Sequence, residues 1–336
     1  MSAPTIIGWA ADAVDAVAEA TMAPSFIRVG IVVRKRLEGW GPPPSLSGRA
    51  VVVTGATSGI GMATALGLSR LGASVHIVGR DAVRAEEARS QVAAGGGGPV
   101  EVDLADLSEP AAVEALGRRL AHRYRELAAL VHCAGALSRS YSANSGGTEM
   151  TVATQVIGPH VLTAALAPSL GRAGGRIVIV SSGGMYSQRF DLGHLEMGPD
   201  GYDGAVAYAR SKRAQVLLAE AWAARFGAGG VPSYSMHPGW VDTPGLRAGL
   251  PRFYKLWRPL LRTPEEGADT AVWLAAGGAA REGGAGGPGF YHDRRRRPTQ
   301  RFPVTHPSRP GDPAALVEWC TERTGVTLPL LRARVA

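Results

Sequence analysis

The chain has 336 residues, 45% hydrophobic and 19% charged, so it can bury a sizeable core as one large domain or as two. Its formal net charge is +8, but the basic runs near both ends have no interleaved aromatic residues and no zinc-ligand spacing, so we expect no nucleic-acid partner. The two cysteines, Cys133 and Cys320, form no disulfide framework. With no secretory signal and no uncharged run of about 18 apolar residues, we expect a cytoplasmic protein.

Residues 1–45 are predicted to form a helical N-terminal extension. Apolar residues recur at helical spacing from Ile6 to Val17, and the segment from Phe26 to Leu37 mixes apolar residues with Arg28 and Arg34. Such helices pack against their own domain or a partner subunit, or lie on a membrane surface. Peripheral membrane contact through residues 1–40 and homo-oligomer formation therefore both stay open. The prolines from Pro42 to Pro44 end the extension.

The stretch VVVTGATSGIG, from Val51 to Gly61, predicts a nucleotide site. Three valines form a buried strand, three glycines follow at the spacing G-x-x-x-G-x-G, and an apolar helix runs from Met62 to Leu71. A glycine-rich turn between strand and helix exposes backbone N–H groups at the positive end of the helix, which favours phosphate. A flexible loop is the alternative, but the flanking strand and helix supply the context that the motif requires.

Strands and helices alternate along the next 180 residues. Further strands are predicted over Ser74–Val78, Val100–Val102, Leu127–Val131, Arg176–Val180 and Pro232–Met236. Helices are predicted over Asp81–Val92, Ala111–Tyr124, within Gly147–Leu170, and over Ala205–Phe226. This alternation predicts an α/β fold: a Rossmann-type doubly wound parallel sheet over residues 46–298, with ligands at the carboxyl ends of the strands. Residues 299–336 are predicted to be a C-terminal tail with one short helix, Pro313–Thr324, that wraps the sheet edge or the pocket mouth.

A second cluster points to proton transfer. Ser182 follows the fifth strand, and Tyr208 and Lys212 lie four residues apart, on one face of the next helix. A neighbouring ammonium favours the phenolate, so the pKa of such a tyrosine can fall toward neutrality. The tyrosine could then exchange a proton with a substrate hydroxyl or carbonyl. Alone, this spacing is that of an ordinary helix surface; the preceding serine and the glycine turn favour a catalytic site.

Taken together, these motifs resemble the short-chain dehydrogenase/reductase family. The resemblance covers roughly residues 46–290 and is carried by Thr54-Gly55-x-x-x-Gly59-x-Gly61, Ala134-Gly135, Ser182, Tyr208-x-x-x-Lys212 and His237-Pro238-Gly239. The segments SSGGM from Ser181 and HPGWVDTPG from His237 resemble the branch named for dehydrogenase/reductase family member twelve.

The resemblance implies a role for each matching position. Tyr208 would be the proton donor and acceptor, Lys212 would lower its pKa and hold the nicotinamide ribose, and Ser182 would orient the substrate oxygen. The remaining cofactor-binding positions would be the pyrophosphate turn (Thr54, Gly55, Ser58, Gly59, Ile60, Gly61), the adenine side (Asp103, Leu104), the adenosine ribose side (Ala134, Gly135), and the carboxamide and diphosphate loop (Pro238, Gly239, Val241, Thr243).

Two positions depart from the family's pattern. His132 and Cys133 stand where the family usually has asparagines, either as a tolerated structural change or as a reactive cysteine. The asparagine of the proton-relay helix aligns with Gln155, whose amide is one methylene farther out, so a water chain to Lys212 could survive or shift. Gln155 is therefore counted with the catalytic residues. These departures support the alternative of a nucleotide-binding pseudoenzyme or membrane-associated scaffold.

Cofactor choice depends on the end of the second strand. An acidic group there would repel a 2′-phosphate, but that position is Gly79, and Arg80 follows it. A guanidinium pairs with phosphate, so NADP(H) is expected over NAD(H). Alternatively, Arg80 stacks on adenine.

An apolar, aromatic segment from Pro244 to Thr263 is expected to line the substrate pocket, which suggests a lipophilic alcohol or carbonyl; a plain packing role is the alternative. His194 and His237 lack metal-ligand spacing, so no metal site is proposed. The sequence thus predicts an NADP(H)-dependent oxidoreductase.

Overall fold

The computed structural model describes residues 15, 19, 21–281, 287–301 and 309–331. In this part of the chain, eight strands form one sheet in the order β3-β2-β1-β4-β5-β6-β7-β8, parallel except for the last pair. The strands are β1 Ala50–Thr54, β2 Ser74–Gly79, β3 Val100–Leu104, β4 Ala129–His132, β5 Arg176–Val180, β6 Ser233–Met236, β7 Gly289–His292 and β8 Arg295–Arg296. The predicted doubly wound parallel sheet is confirmed.

Helices cover both faces of this sheet. They are α1 Ala23–Phe26, α2 Arg28–Leu37, α3 Gly59–Arg70, α4 Ala82–Gly95, α5 Pro110–Arg123, α6 Met150–Ala173, α7 Gly204–Phe226, α8 Pro244–Gly249, α9 Pro251–Trp257, α10 Pro264–Ala275, α11 Gly278–Arg281 and α12 Asp312–Thr324. Within α6, the turn Ala153–Ile157 is π-helical. The helix predicted from Ile6 to Val17 lies outside the described residues, apart from Asp15.

The central strands β1, β4 and β5 form because β-branched and aliphatic runs are buried on both faces, as a parallel sheet requires, whereas the edge strand β3 is only partly buried. Val51, Val52 and Val53 are fully buried, and β1 pairs with β2 on one side and β4 on the other. Side chains of α5, α6 and α7 fill one face of the sheet, and those of α3, α4 and α10 fill the other. Among the described residues, α6 alone is long and apolar enough to span a membrane, and 83% of its most apolar window is buried inside the fold.

The described part of the C-terminal tail packs on the helical layer and also contacts the segment between Ser182 and Tyr208, where Arg323 pairs with Glu196 at 2.6 Å. That the tail wraps the sheet edge or the pocket mouth stays a prediction. Its helix α12 lies against α7 and α6 and buries Leu316 and Cys320 completely. This helix begins one residue before the predicted start at Pro313 and ends at Thr324, as predicted. Strands β7 and β8 were not predicted, because they are short and lie between a glycine-rich and an arginine-rich stretch. The predicted boundaries after residues 45 and 298 stay predictions.

The described part of the N-terminal segment is held on the domain by buried charges. Arg34, with 3% of its surface exposed, donates to Asp293 at 2.5 Å and to Asp15 at 2.6 Å. Arg262 donates to both carboxylate oxygens of Asp293, at 2.5 and 2.8 Å, and to the Ser25 carbonyl at 2.6 Å. Burial alone would raise the pKa of Asp293, but Arg262, His292 and Arg34 hold it well below its usual range. Asp293 therefore joins the N-terminal segment to the end of β7.

Replacing Asp293 by alanine should leave the buried Arg262 guanidinium without its carboxylate and remove one of the carboxylates bonded to Arg34. We expect Asp293→Ala to lower the free energy of unfolding by about 3–5 kcal/mol, the usual cost of breaking a buried ion pair from one side. Chemical denaturation at pH 7 measures this change. Glu114→Ala, which removes an exposed pair with Arg118, is the control and should cost no more than about 0.5 kcal/mol. Equal losses in the two variants would contradict the role given to Asp293.

Candidate active site

The predicted site residues come from the carboxyl ends of neighbouring strands. The β1–α3 turn supplies the glycine motif, β4 leads into Ala134 and Gly135, β5 leads into Ser182, and β6 leads into Pro238 and Gly239. Because the strands are parallel, these four ends meet at one edge of the sheet.

The glycine turn has the geometry that a bound diphosphate needs. Gly55 and Gly59 have φ angles of 66° and 53°, which favour glycine. A Cβ on Gly61 would lie 2.2 Å from the Gly55 carbonyl oxygen, so the turn closes tightly on itself. Ser58 precedes α3 without a capping hydrogen bond from its side chain, and the first turn of α3 holds no acidic residue. The N-terminus of this helix thus keeps its N–H groups and positive potential for an anion, and these residues fit a dinucleotide.

The loops after β4 and β6 close around this turn. A Cβ on Gly55 would lie 2.5 Å from Ala134 Cα, and the Ala134 N–H donates to Thr54 Oγ1 at 3.4 Å. Thr243 lies beside Gly59, where a Cβ would approach its Cγ2 to 3.1 Å. Thr243 also caps α8 by accepting from the Leu246 N–H at 3.2 Å. Thr54, Gly55, Gly59, Ala134 and Thr243 are therefore brought together. Ile60, in the first turn of α3, and Val241, 4% exposed, belong to the same two segments.

The two residues predicted to bind the adenine, Asp103 and Leu104, have different surroundings. The Asp103 carboxylate is bound by His76 Nε2 at 2.8 Å, by Arg123 at 3.1 Å and by Arg119 at 3.3 Å, whereas Leu104 is 45% exposed. The structure thus gives the Asp103 side chain protein partners of its own, and its contact with adenine stays a prediction.

Arg80 lies just past β2 with 72% of its side chain exposed, and its bond to Asp106 is long, at 3.4 Å. A Cβ on the preceding Gly79 would lie 2.6 Å from Thr57 Cγ2, so a larger residue would crowd the glycine turn. The guanidinium of Arg80 is therefore free to turn toward a phosphate at this edge.

Ser182, Tyr208 and Lys212 converge where β5 faces α7. Asp203 begins α7 by accepting hydrogen bonds from Ala205 and Val206, and this fixes the helix that carries Tyr208 and Lys212. Lys212 Nζ lies 5.4 Å from the centroid of the Tyr208 ring. The Ser182 hydroxyl accepts from the Gly184 N–H at 3.1 Å, and it acts on the Tyr208 hydroxyl in the direction that lowers the Tyr208 pKa.

Burial sets the protonation of this pair. It raises the pKa of Tyr208, and the hydrogen bond with Ser182 opposes that rise. It also lowers the pKa of Lys212 to about 7, while Cys133 acts weakly in the opposite direction. Tyr208 is therefore a protonated donor at neutral pH. The lowering of its pKa by Lys212 stays a prediction.

Gln155 lies in the π-helical turn of α6 and is fully buried. Its side-chain nitrogen donates to the Ala136 carbonyl at 3.0 Å, and its Oε1 has no hydrogen-bond partner among the described residues. A Cβ on Gly135 would lie 2.9 Å from this amide, so the Gln155 side chain packs directly against the loop after β4. The side chain does not reach Lys212; the link between the two residues runs through another group, described below.

Of the two residues that replace the family's asparagines, His132 is buried and Cys133 is half-buried. His132 bonds Thr163 at 2.9 Å, and burial lowers its pKa to about 3, so it is neutral. Burial raises the pKa of the Cys133 thiol to about 12, so it is not a thiolate at neutral pH. These contacts favour the structural interpretation over a reactive cysteine.

The Pro238–Gly239 loop rests on residues that the sequence analysis did not connect with it. Gly239 has a φ of 79°, and a Cβ there would lie 2.4 Å from Arg262 Nε and 2.6 Å from the Phe26 carbonyl oxygen. The Trp240 N–H donates to that same carbonyl at 2.8 Å. Phe26 also contacts the loop after Ser182, where a Cβ on Gly183 would lie 2.8 Å from its ring. In the sequence, Phe26 and Arg262 are far from Gly239, and no motif links either of them to this loop.

His237 takes a structural part in this support. Its Nδ1 accepts from the Gly239 N–H at 3.0 Å, and its ring stacks on His292 at 3.8 Å. Among the described residues, no group of three His, Cys, Asp or Glu could hold a metal ion.

Comparison with known proteins identifies relatives of this chain. Residues 49–250 match the short chain dehydrogenase family. The chain is 35% identical to human dehydrogenase/reductase SDR family member 12, over 81% of this chain and 85% of that protein. It is 33% identical to mouse retinol dehydrogenase 11, over 68% of this chain and 74% of that protein. Among solved structures, the RhlG/NADP complex of Pseudomonas aeruginosa superimposes with a TM-score of 0.60 at 25% identity, over 76% of this chain and 98% of that one.

The burial of Lys212 has a measurable cost in stability. Its pKa falls from 10.5 to about 7 on folding, so the unfolded chain binds more protons between those two pH values. Stability therefore rises with pH across that window, and the penalty is fully present below pH 7. Replacing the lysine removes the penalty. We expect the difference in unfolding free energy, Lys212→Met minus wild type, to be about 4 kcal/mol larger at pH 6 than at pH 10.

Chemical denaturation at both pH values measures this difference. Lys255→Met makes the same substitution at an exposed lysine and is the control. If the two variants change equally with pH, Lys212 is not the buried cation described above.

Proposed function

The chain belongs to the short-chain dehydrogenase family, and we propose that it is an NADP(H)-dependent oxidoreductase that interconverts a lipophilic alcohol and its carbonyl. One observation carries the proposal: Ser182, Tyr208 and Lys212 converge at the strand ends, beside a glycine turn that fits a diphosphate. A chain that only bound a nucleotide would not need this proton-transfer group.

Each residue has a separate task. Ser182 holds the substrate oxygen, and Tyr208 donates its phenolic proton to that oxygen when a carbonyl is reduced. Because burial raises its pKa, Tyr208 is protonated at neutral pH and is set to act as the donor. In the oxidation of an alcohol the same oxygen takes the proton back. Lys212 places a buried cation next to the ring, which stabilises the phenolate left after transfer.

The nicotinamide cofactor, when bound, supplies or accepts the hydride. The residues that would hold it are the glycine turn for the diphosphate, Ala134 and Gly135 for the adenosine ribose, and the segment from Pro238 to Thr243 for the carboxamide. Lys212 would hold the nicotinamide ribose.

Preference for NADP(H) is supported by charge at the end of β2. Arg80 is 72% exposed and weakly bonded, and the position where a carboxylate would repel a 2′-phosphate is Gly79. Planar guanidinium groups bind phosphate through two parallel hydrogen bonds.

A lipophilic substrate is supported by the segment over the site. Trp240, Phe253 and Trp257 form an aromatic cluster, with ring centroids 4.9 and 4.8 Å from Trp240. Helix α8 lies against the loop after β4, where a Cβ on Gly249 would be 3.0 Å from Leu137. Leu256, on α9, is 73% exposed. This apolar wall suits a hydrophobic alcohol, and the relative named for retinol has a substrate of that kind.

Membrane contact and self-association stay predictions. The described part of the N-terminal segment packs on its own domain through Phe26, Ile31 and Arg34, while Val29 and Val32 are 53% and 38% exposed. Those exposed side chains would be the contact surface at the membrane.

Tyr208→Phe should abolish turnover while leaving cofactor binding intact, because it removes only the phenolic oxygen. We expect kcat to fall by a factor of about 10² to 10⁴. The measurement is oxidation of NADPH with a panel of lipophilic ketones and aldehydes, alongside a fluorescence titration of NADPH binding. Tyr124→Phe removes a hydroxyl bonded to His76, outside the group of Ser182, Tyr208 and Lys212, and should retain activity. Turnover by the Tyr208 variant at the wild-type rate would refute the proposed donor.

The same assay separates the enzyme from the scaffold alternative. Tight NADPH binding without turnover on any compound would favour a scaffold, and activity recovered in Gln155→Asn would instead indicate a weakened relay. Absence of binding to either nucleotide would refute the cofactor site itself.

Arg80→Ala should weaken NADPH binding by about ten- to a hundredfold and leave NADH binding unchanged, since a charge-assisted hydrogen bond is lost only with the 2′-phosphate. Fluorescence titration with both nucleotides measures the two dissociation constants. Arg89→Ala, at an arginine paired with Glu86 on α4, is the matched control. A parallel loss of NADPH and NADH affinity would mean that Arg80 contacts adenine instead.

A further inference from the structure

The ammonium of Lys212 is bonded to a residue to which the sequence analysis gave no role. Lys212 is 3% exposed, and its Nζ donates to the Val180 carbonyl at 2.8 Å and to Gln215 Oε1 at 2.9 Å. Gln215 lies one turn farther along α7 and is fully buried. It is therefore the side-chain acceptor for a buried cation.

The other end of the Gln215 amide is also engaged. Its Nε2 donates to the main-chain carbonyl of Gln155 at 2.9 Å. An ammonium can only donate and a carbonyl can only accept, so the amide satisfies both partners in one orientation only. That orientation directs its oxygen at Lys212. The Gln155 carbonyl belongs to the π-helical turn of α6, a distortion that is frequent at functional sites.

We propose that Gln215 is a positioning residue, which connects Lys212 to the π-helical turn of α6 and keeps its ammonium charged and fixed beside Tyr208. The role rests on the proposed function. It also changes the part given to Gln155, whose main chain, rather than its side chain, is joined to Lys212.

The chemistry of an amide suits this position. A buried ammonium loses hydration, and burial lowers the pKa of Lys212 to about 7. An acceptor bonded to the charged form favours that form, so Gln215 opposes the loss of charge. A carboxylate in its place would favour the ammonium more strongly, but its negative charge would also oppose formation of the Tyr208 phenolate. The neutral amide avoids that opposition.

The test is to measure the pKa of Lys212 by NMR titration of the lysine side chains, in protein without substrate. The chain has three lysines, and Lys35 and Lys255 are exposed, so they provide internal references. In Gln215→Leu, the Lys212 pKa should fall by about one unit, since a hydrogen bond to a charged group is lost. In Gln215→Glu, it should rise. The glutamate is nearly isosteric, so it keeps the test decisive where the leucine variant fails to fold.

Kinetics supply the second readout. The readout is the dependence of kcat on pH. In Gln215→Leu, the fall of kcat at high pH should occur at a lower pH, by the same amount as the change in the Lys212 pKa, and the substrate KM should not change. Ser211→Ala is the matched control, because Ser211 is buried on the same helix and its hydroxyl has no hydrogen-bond partner among the described residues. It should alter neither quantity.

The outcomes separate this proposal from the function on which it rests. The lysine titration does not require turnover. A protein that is inactive on every substrate would therefore refute the proposed function, while its Lys212 pKa would still test the role of Gln215. An unchanged Lys212 pKa in a folded Gln215 variant would overturn the positioning role, even where kcat fell.

Discussion

Asp293 is the carboxylate on which the geometry around the site depends. It is 1% exposed, lies in the left-handed region with a φ of 50°, and is bonded by Arg262 and Arg34. Arg262 continues from there to the main-chain carbonyls of Ser25, Phe26 and Pro238. One buried anion thus fixes the N-terminal segment, the end of β7 and the loop after β6 relative to one another. Because the local dielectric is low, these charged hydrogen bonds are strong, and an unpaired member would be costly.

Lys212 is also a buried charge, but unlike Asp293 it lowers the stability of the fold. Among the described residues, the Lys212 ammonium is bonded by two neutral oxygens and by no carboxylate, and burial lowers its pKa to about 7. Stability at neutral pH is therefore reduced by a group whose proposed role is in proton transfer. Conflicts between stability and local environment are expected where a protein performs chemistry.

Local patterns predicted most of the architecture. Valine runs such as Val51–Val53 are dictated by burial on both faces, so the six strands and their helices were predicted within a few residues. The roles of Ser182, Tyr208 and Lys212 were predicted because their spacing and strand context are short-range properties. The contacts that support the Gly239 loop were not predicted, because Arg262 and Phe26 are distant from Gly239 in sequence and meet it only in the folded chain. Gln215 was missed for the same reason: nothing in its sequence neighbourhood reveals that the π-helical turn of α6 lies opposite. The partners of Asp103 were missed because His76, which is paired with Glu101 in the sheet, reaches Asp103 diagonally from β2 to β3.

The buried contact of Arg34 with Asp293 also has a consequence for synthesis on the ribosome. The two residues lie 259 positions apart, whereas the bonds of Arg34 to Asp15 and Glu19 span 19 and 15 positions. At about 5–20 residues per second, translation from one partner to the other takes on the order of ten seconds to a minute. The N-terminal segment can form its local ion pairs early, but it cannot take its final place until nearly the whole chain has emerged. Completion of the wall beside Gly239 is therefore among the last steps in making this protein.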